Sequence, residues 1–260
     1  VTRNEKEHFD MRETIQDIVR HAIGVNNIDT IKITGDDEKT IIEAMDNERT
    51  VIVKGQLLQP EPELKGEFGM SHLGLLQGLV NYALFKTDDA KIEVKRRERN
   101  GKMTPEEISF KSADGKSSGA YRLMASDLIP EQAKFLGTTW DVEIDPSASK
   151  LKELQALAGL YGQFENFFMV KTVENEGKNE LRFYIGDEGS SMHRAFLTIA
   201  DDVEGSLTGD LHWGIAPVLA ILKLGADENL KLQFSSRGAL QISMASKSAE
   251  YKFILPARKK

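Results

Sequence analysis

Chemistry on a phosphate, at a metal or through an activated nucleophile leaves residues at fixed spacings, and each pattern can be sought in turn. Gly115-Lys116-Ser117 has the ending of a phosphate-binding loop, but the glycine required five residues before Gly115 is Phe110. The backbone cradle cannot form, and a hairpin turn after Asp114 is expected instead. The five histidines, His8, His21, His72, His193 and His212, include no pair at metal-ligand spacing and no H-E-x-x-H. Lone histidines of this kind are expected at the surface or at caps. Asp36-Asp37, Asp88-Asp89 and Asp201-Asp202 are paired carboxylates, but each falls between expected strands, where Asp bonds its own backbone in a turn. No G-x-S-x-G elbow occurs, and Gly189-Ser190-Ser191 reads as a polar loop. The chain has no cysteine, which excludes disulfides, thiolate metal sites and a Cys nucleophile. No nucleophile, base and oxyanion donor come together. The expectation is a protein that is not an enzyme, with no cofactor and no metal.

The elements carrying these residues form an α+β pattern. Ile15, Ile18, Val19, Ala22 and Ile23 make one apolar stripe at helical period, closed by Gly24 and Asn26. Alternating segments at 30–34, 40–45 and 50–58 read as a strand meander, broken by Pro60 and Pro62, with a further strand at 63–68. A second helix is expected over 71–85 with Ser71 as its N-cap, although Gly74 and Gly78 weaken its propensity. Strands at 91–97, 108–110 and 120–125 follow. The stretch 128–139 reads as a connector. Then come a strand at 140–144, a third helix after Pro146-Ser147, strands near 167–173, 181–185, 195–200 and 206–212, a helix at 214–224, and strands at 230–234, 240–244 and 251–255. Helix, four strands, helix and three strands occur twice. A shift of 140 places Leu75, Leu79, Leu84, Lys91 and Ile92 on Ile215, Leu219, Leu224, Lys231 and Leu232, and a shift of 136 places Ile15 and Ile18 on Leu151 and Leu154. The expected organisation is an internally duplicated α+β unit.

Composition sets limits on partners. The 260 residues are 40% hydrophobic and 29% charged, as in a globular chain that can build its own core. Lys and Arg number 34 against 41 Asp and Glu, a net charge of −7, so no even basic coat for nucleic acid exists. The longest apolar run, 215–222, is too short to span a bilayer, and the charged start lacks the apolar core of a signal peptide. Yet the helix windows 11–26, 72–86, 147–163 and 214–225 hold Arg12, Arg20, Lys86, Lys150, Lys152 and Lys223 against only Glu13, Asp17 and Glu153. Arg12, Gln16 and Arg20 recur every four residues, as do Gln77 and Asn81. Such residues line an ordinary solvated helix face or a surface turned to a polyanion. Their recurrence across four helices favours the polyanion. The densest basic run, Lys95-Arg96-Arg97 with Arg99 and Lys102, is flanked by Glu93, Glu98, Glu106 and Glu107 and reads as a mixed-charge hairpin or a phosphate contact.

The duplicated order, acidic total and basic helices resemble the DNA sliding clamps, the processivity factors of DNA polymerases. The segment Gly69-Met70-Ser71-His72-Leu73-Gly74-Leu75-Leu76-Gln77-Gly78-Leu79-Val80-Asn81, followed by Asp88-Asp89-Ala90-Lys91-Ile92-Glu93-Val94, is similar to the second helix and next strand of the clamps of tailed bacteriophages. The ending Tyr251-Lys252-Phe253-Ile254-Leu255-Pro256 is similar to the closing strand and tail of the wider family, which includes the proliferating cell nuclear antigen.

The resemblance implies a duplicated DNA-clamp domain, with two helices packed on antiparallel sheets in each half. The N-terminal domain would be 1–127 with an arm at 1–10, the interdomain connector 128–139, and the C-terminal domain 140–260. Two domains per chain imply a homotrimeric ring around duplex DNA. Its DNA-facing residues would be Arg12, Gln16, Arg20, Gln77, Asn81, Lys86, Lys150, Lys152 and Lys223. These would meet backbone phosphates without reading sequence, which permits sliding. The resemblance also implies a pocket for a partner peptide at Leu128, Ile129, Pro130, Leu255 and Pro256, the alternative being that these residues pack the domain seam. The implied partners are the replicative DNA polymerase, a clamp loader and further copies of the chain, on DNA in the cytoplasm of an infected host cell and with no membrane. The reading weighed against it is a β-rich phage structural or assembly protein with duplicated domains.

Overall fold

The computed structural model describes residues 10–258 except 26, 100, 132, 188, 190, 191 and 226–228. The apolar stripe of the first helix yields α1 (Met11–Ile23), started by Asp10, whose carboxylate accepts from the Arg12 amide. An antiparallel meander follows: β1 (Thr30–Gly35), β2 (Thr40–Met45) and β3 (Ile52–Leu57). A 3-10 turn at Pro62–Leu64 leads into β4 (Gly66–Ser71), then α2 (Leu73–Asn81), β5 (Lys91–Arg99), β6 (Lys102–Lys111), β7 (Ser118–Arg122) and the two-residue β8 (Met124–Ala125). Beyond an irregular connector come β9 (Val142–Ile144), α3 (Ala148–Tyr161), β10 (Phe167–Asn175), β11 (Lys178–Ile185), β12 (Ala195–Ala200), β13 (Leu211–Gly214), α4 (Ile215–Leu224), β14 (Lys231–Ser235), β15 (Ala239–Ala245) and β16 (Ala249–Pro256). The α+β class with antiparallel sheets is as expected.

Three sheets result, with strand orders β8-β4-β1-β2-β3-β16-β15-β14-β9, β12-β11-β10-β13 and β5-β6-β7. The duplication is explicit in these orders. β4-β1-β2-β3 matches β13-β10-β11-β12, and β5-β6-β7 matches β14-β15-β16. The nine-stranded sheet joins the two halves where β3 pairs with β16, from Ala249 opposite Leu57 to Ile254 opposite Ile52. Gly55 is required at that junction. A Cβ there would stand 2.9 Å from the Tyr251 ring, closer than side chains tolerate in a close-packed core. Alternating strand residues supply the interior, among them Ile31, Ile33, Phe68, Phe168, Phe183, Phe234 and Phe253, all fully buried.

Several local expectations are corrected. The second helix is shorter than 71–85. Ser71 is the last residue of β4, and His72 occupies the N-cap in the left-handed region at φ 54° without a side-chain bond. A separate 3-10 turn covers Ala83–Phe85. The glycines at 74 and 78 cost helix stability, and only Leu73, Leu76 and Val80 are buried to offset it. The segment expected as a strand at 63–68 begins in the 3-10 turn set by Pro62. The strand expected at 206–212 is confined to Leu211–Gly214. His21, expected at the surface or at a cap, is completely buried.

Candidate nucleic-acid and peptide interface

The four helices stand in one row. α1 lies against α2, and α3 against α4. The α1–α4 seam completes the series: the Arg20 guanidinium donates to the Leu224 carbonyl at 3.0 Å, and Gly24 sits where any Cβ would strike the Leu224 side chain at 2.4 Å. The row therefore reads α2–α1–α4–α3. The two halves supply adjoining helices, although Arg20 and Leu224 are 204 residues apart in sequence.

The nine candidate DNA-facing residues separate into three committed to the helix seam, five exposed, and one paired with a neighbouring acid. Arg12 is buried, its guanidinium donating to the carbonyls of Lys86 and Thr87 at 3.3 Å each. Gln16 donates to the Val80 carbonyl and the Asn81 side chain, and Asn81 in turn donates to the Gln77 carbonyl. Arg12, Gln16 and Asn81 are therefore committed to joining α1 to α2. Arg20, Gln77, Lys86, Lys152 and Lys223 are exposed. Among the described residues Lys86, Lys152 and Lys223 make no ion pair. Lys150 is half-buried and pairs with Glu153 at 3.1 Å. Among the described residues the cations without an ion pair thus sit on α3, on α4 and just beyond α2, and Arg20, at the end of α1, is exposed but bonded to the Leu224 carbonyl.

Asp17 on α1 fixes this row to the sheet. Its Oδ2 accepts from Ser246 and Ser248 at 2.8 Å and from the Tyr251 hydroxyl at 2.9 Å. The His21 ring stacks on Tyr251 with centroids 4.0 Å apart, and its Nδ1 lies 2.8 Å from the Asp17 carbonyl. Burial disfavours the Asp17 carboxylate. Hydrogen bonds from His21, Ser246 and Ser248, with the His21 charge, outweigh that penalty and hold its pKa below the ordinary carboxylate value. In the sequence Asp17 is only an acid on a helix face, and its spacing of four from His21 is the one available signal of this role.

The five positions expected to form a peptide pocket are not brought together. Leu255 and Pro256 line a groove of about 300 Å³, with Val25, Val51, Phe167, Trp213 and Pro217 supplying its other apolar surface. Trp213 is held by a bond from its indole N–H to the Leu255 carbonyl at 3.1 Å. Asp46 shapes the opposite lip, accepting from the amides of Thr50 and Val51 and from the Thr50 hydroxyl. Leu128, Ile129 and Pro130 lie elsewhere. Ile129 is beside Gly69 and Met124, at the β4–β8 edge of the sheet. Five strand spacings of about 4.8 Å, roughly 24 Å, separate that edge from β16.

The connector joins these regions by crossing the sheet. It leaves β8 at one edge of the nine strands and enters β9 at the other. Eight spacings of about 4.8 Å need roughly 38 Å. Residues 126–141, at about 3.3 Å each, reach roughly 53 Å. The connector therefore has to run largely extended. It is pinned at its far end by Thr138 Oγ1 against Ser235 Oγ at 2.9 Å and by the Asp141 amide on the Phe234 carbonyl. Between these points Leu136 is almost fully exposed. The basic run at 95–97 is spent on structure: Lys95 pairs with Glu107, Arg97 with Glu106, and Arg96 donates to the carbonyls of Pro62, Glu63 and Lys65.

Two modules with helices in one row, joined edge to edge through a shared sheet, form the clamp fold. The fold is seen in the proliferating cell nuclear antigen of A. fulgidus, solved with the C-terminal region of FEN-1 bound, at TM-score 0.68 and 10% identity over 96% of each chain. The antigen of Entamoeba histolytica matches at 0.65 and 14% identity, over 95% of this chain and 96% of that one. That of Thermococcus kodakaraensis matches at 0.64 and 18%, over 96% and 98%. At these identities the likeness establishes the fold. No protein-family model and no curated protein sequence matches the chain. No helix of the described residues is long and apolar enough to cross a membrane, and no group of three or more metal-binding side chains occurs among them.

Proposed function

We propose that the chain is a non-enzymatic DNA sliding clamp that closes as a homotrimer around duplex DNA in the cytoplasm and tethers a replicative polymerase, with a clamp loader opening the ring. The likeness of 69–81 to phage clamps favours a viral clamp acting in an infected cell. The division proposed is 1–127, a connector at 128–139, and 140–260. Arg20, Lys86, Lys152 and Lys223, with Gln77, would meet phosphates. Lys150 would add to them when released from Glu153, and Arg12, Gln16 and Asn81 would hold the helices in place. The partner segment would enter the groove at Leu255 and Pro256, with the connector crossing beside it. Leu128, Ile129 and Pro130 would anchor the start of that connector.

One observation carries the ring. Each half exposes an edge strand with an apolar helix stripe beside it. β7 is the edge of its sheet, and Leu79 lies over its Gly119, with exposed Leu75 and Tyr82 on the same helical face. β12 is likewise an edge next to α3, whose last turn carries exposed Leu160, with exposed Phe164 three residues past the helix end. The duplication relates these surfaces to the seam already inside the chain. β3 corresponds to β12 and β16 to β7, so the β3–β16 junction would recur as β12 against the β7 of a second copy. In the helices, buried Ile15, Ile18 and Ala22 correspond to Leu151, Leu154 and Ala158, which places Gly24 on Leu160. Buried Leu73, Leu76 and Val80 correspond to Ile215, Val218 and Leu222, a shift of 142 that places Tyr82 on Leu224. The Gly24–Leu224 contact would thus reappear between chains as Leu160 against Tyr82. These two side chains are 67% and 50% exposed in the single chain. A head-to-tail interface whose rotation is cyclic closes into a ring, and here it would cover both free edges.

Light scattering tests it. The expected mass is three times 29.0 kDa, and Leu160→Asp should return it to that of one chain. A wild-type monomer at micromolar concentration would contradict the proposal.

A further inference from the structure

Resting on the reading of the groove as a peptide site, we propose that the partner segment leaves the groove across the outer face of the β10–β13 sheet and seats a second, aromatic side chain there. That sheet has two unlike faces. Phe168, Val170, Phe183 and Trp213 are fully buried on the side of α3 and α4. The alternating residues point the other way. Phe196, Tyr184, Met169 and His212 are direct cross-strand partners in turn, so they form one row across β12, β11, β10 and β13. The Tyr184 and Phe196 rings are 5.6 Å apart, and Phe196 is 55% exposed. A cleft of about 700 Å³ opens over this row.

The duplication shows what an ordinary solvated face carries at these positions. Met169 is the third residue of β10, as Lys32 is of β1. Lys32 lies opposite Glu43, and Glu43 opposite Lys54. Where the first half places Lys32, Glu43 and Lys54, the second places Met169, Tyr184 and Phe196. A thioether and two aromatic rings thus stand where the sister module keeps three charges. The charges bordering the cleft balance. Lys171 pairs with Asp210 at 3.1 Å, and Asp187 and Arg194 add one of each sign. Arg182 pairs with Glu180 at 2.7 Å while its guanidinium stands 5.0 Å from the centre of the Phe196 ring. The cleft therefore selects by shape and apolar contact, and an aromatic ring gains most from Tyr184, Phe196 and the Met169 sulfur.

The cleft continues the groove. Phe167 lines the groove and Met169 the cleft, two residues apart on one face of β10. Arg258 lines the groove, and its amide donates to the carbonyl of His212, which lines the cleft. Tyr184 lies two residues along and one strand across from Phe167, about 8 Å or roughly three residues of extended chain. The row faces away from the helices, so ring closure through the edges β7 and β12 would leave it accessible.

The test is fluorescence anisotropy with the assembled full-length protein and three synthetic peptides. One is a Leu/Phe anchor core alone. The second adds Phe about four Gly/Ser residues beyond each end of the core, and the third has Ser in place of each added Phe. The Phe-extended peptide should bind at least about fivefold more tightly than the Ser-extended one. Met169→Glu should remove that gain while holding the core alone within about twofold. Tyr184→Ser should reduce the gain as well, and both variants should keep the wild-type mass. If the core binds but added Phe gives no gain, or the gain survives both substitutions, the proposal is overturned and the groove reading stands. A changed mass in both variants would overturn it too, marking the row as a surface between copies. Failure of all three peptides to bind a correctly assembled protein would overturn the groove reading and this proposal with it.

Discussion

Replacing Asp17 by Ala removes a carboxylate that ties α1 to the β15–β16 hairpin through three hydroxyls. Three hydroxyls lose their partner: Ser246, Ser248 and Tyr251, at 2.8, 2.8 and 2.9 Å. Hydrogen bonds to a charged group contribute about 1.5–3 kcal/mol each, and buried donors left unsatisfied cost about 1–3 kcal/mol. These contributions are not additive. The one hydroxyl hydrogen of Ser246 has the Ala249 carbonyl at 3.1 Å as an alternative acceptor, and so keeps a bond. The carboxylate's own burial penalty is also relieved. A net loss of about 3 kcal/mol is expected, within the range for breaking a buried charged network. In urea this corresponds to a midpoint lowered by about 1 M for a chain of this size. Unfolding should be followed by circular dichroism at one fixed protomer concentration, because assembly adds to apparent stability. The pH dependence supplies an independent check. The folded-state pKa of Asp17 is depressed, so its contribution is fully present above the unfolded value of about 3.9 and is lost as pH falls through the lower folded value. Asp17→Asn should lack that part of the acid slope. A loss below about 1 kcal/mol for Asp17→Ala, or an unchanged acid slope for Asp17→Asn, would refute the assignment of Asp17 as the anchor of the helix row.

Other perturbations separate the surfaces. Gly55→Ala should cost about 1–3 kcal/mol in urea unfolding, because the new methyl meets the Tyr251 ring at 2.9 Å across the β3–β16 junction. Ala216→Trp, at an exposed position lining the groove, should weaken peptide binding at least about tenfold in anisotropy and leave the mass unchanged. Arg20→Glu with Lys152→Glu and Lys223→Glu should weaken DNA binding and flatten the dependence of log affinity on log salt by roughly 0.9 for each phosphate that is no longer neutralised, measured by titration at several salt concentrations.

The parts of the fold written in local periodicity are legible from the residues. The stripe of Ile15, Ile18 and Ala22 and the alternation in β1 and β10 set elements that the structure contains within a few residues. The second helix is harder to read because Gly74 and Gly78 carry no cap signal, and the true start uses His72 in a left-handed conformation that propensity does not favour. The duplication is visible as an order of elements, but its register in the second helix, read from apolar matches, is off by two. Apolar matches at 75, 79 and 84 resemble those at 73, 76 and 80, and only burial distinguishes them. The groove is half legible. Leu255 and Pro256 belong to a recognisable closing strand, whereas Val25, Val51, Phe167 and Trp213 come from separate elements that only tertiary packing assembles. Basic residue counts point to the helix face but do not show that Arg12 is consumed by the carbonyls of Lys86 and Thr87.

The most direct measurement uses the absence of cysteine from the chain. One cysteine placed in β7 and one in β12 allow a short bis-maleimide to bridge neighbouring copies while circular DNA is present, and the mixture is then passed through a sizing column at high salt. The closed protein should stay with the circle and be released when a single cut makes it linear. Equal release from circular and linear DNA after bridging would contradict the ring.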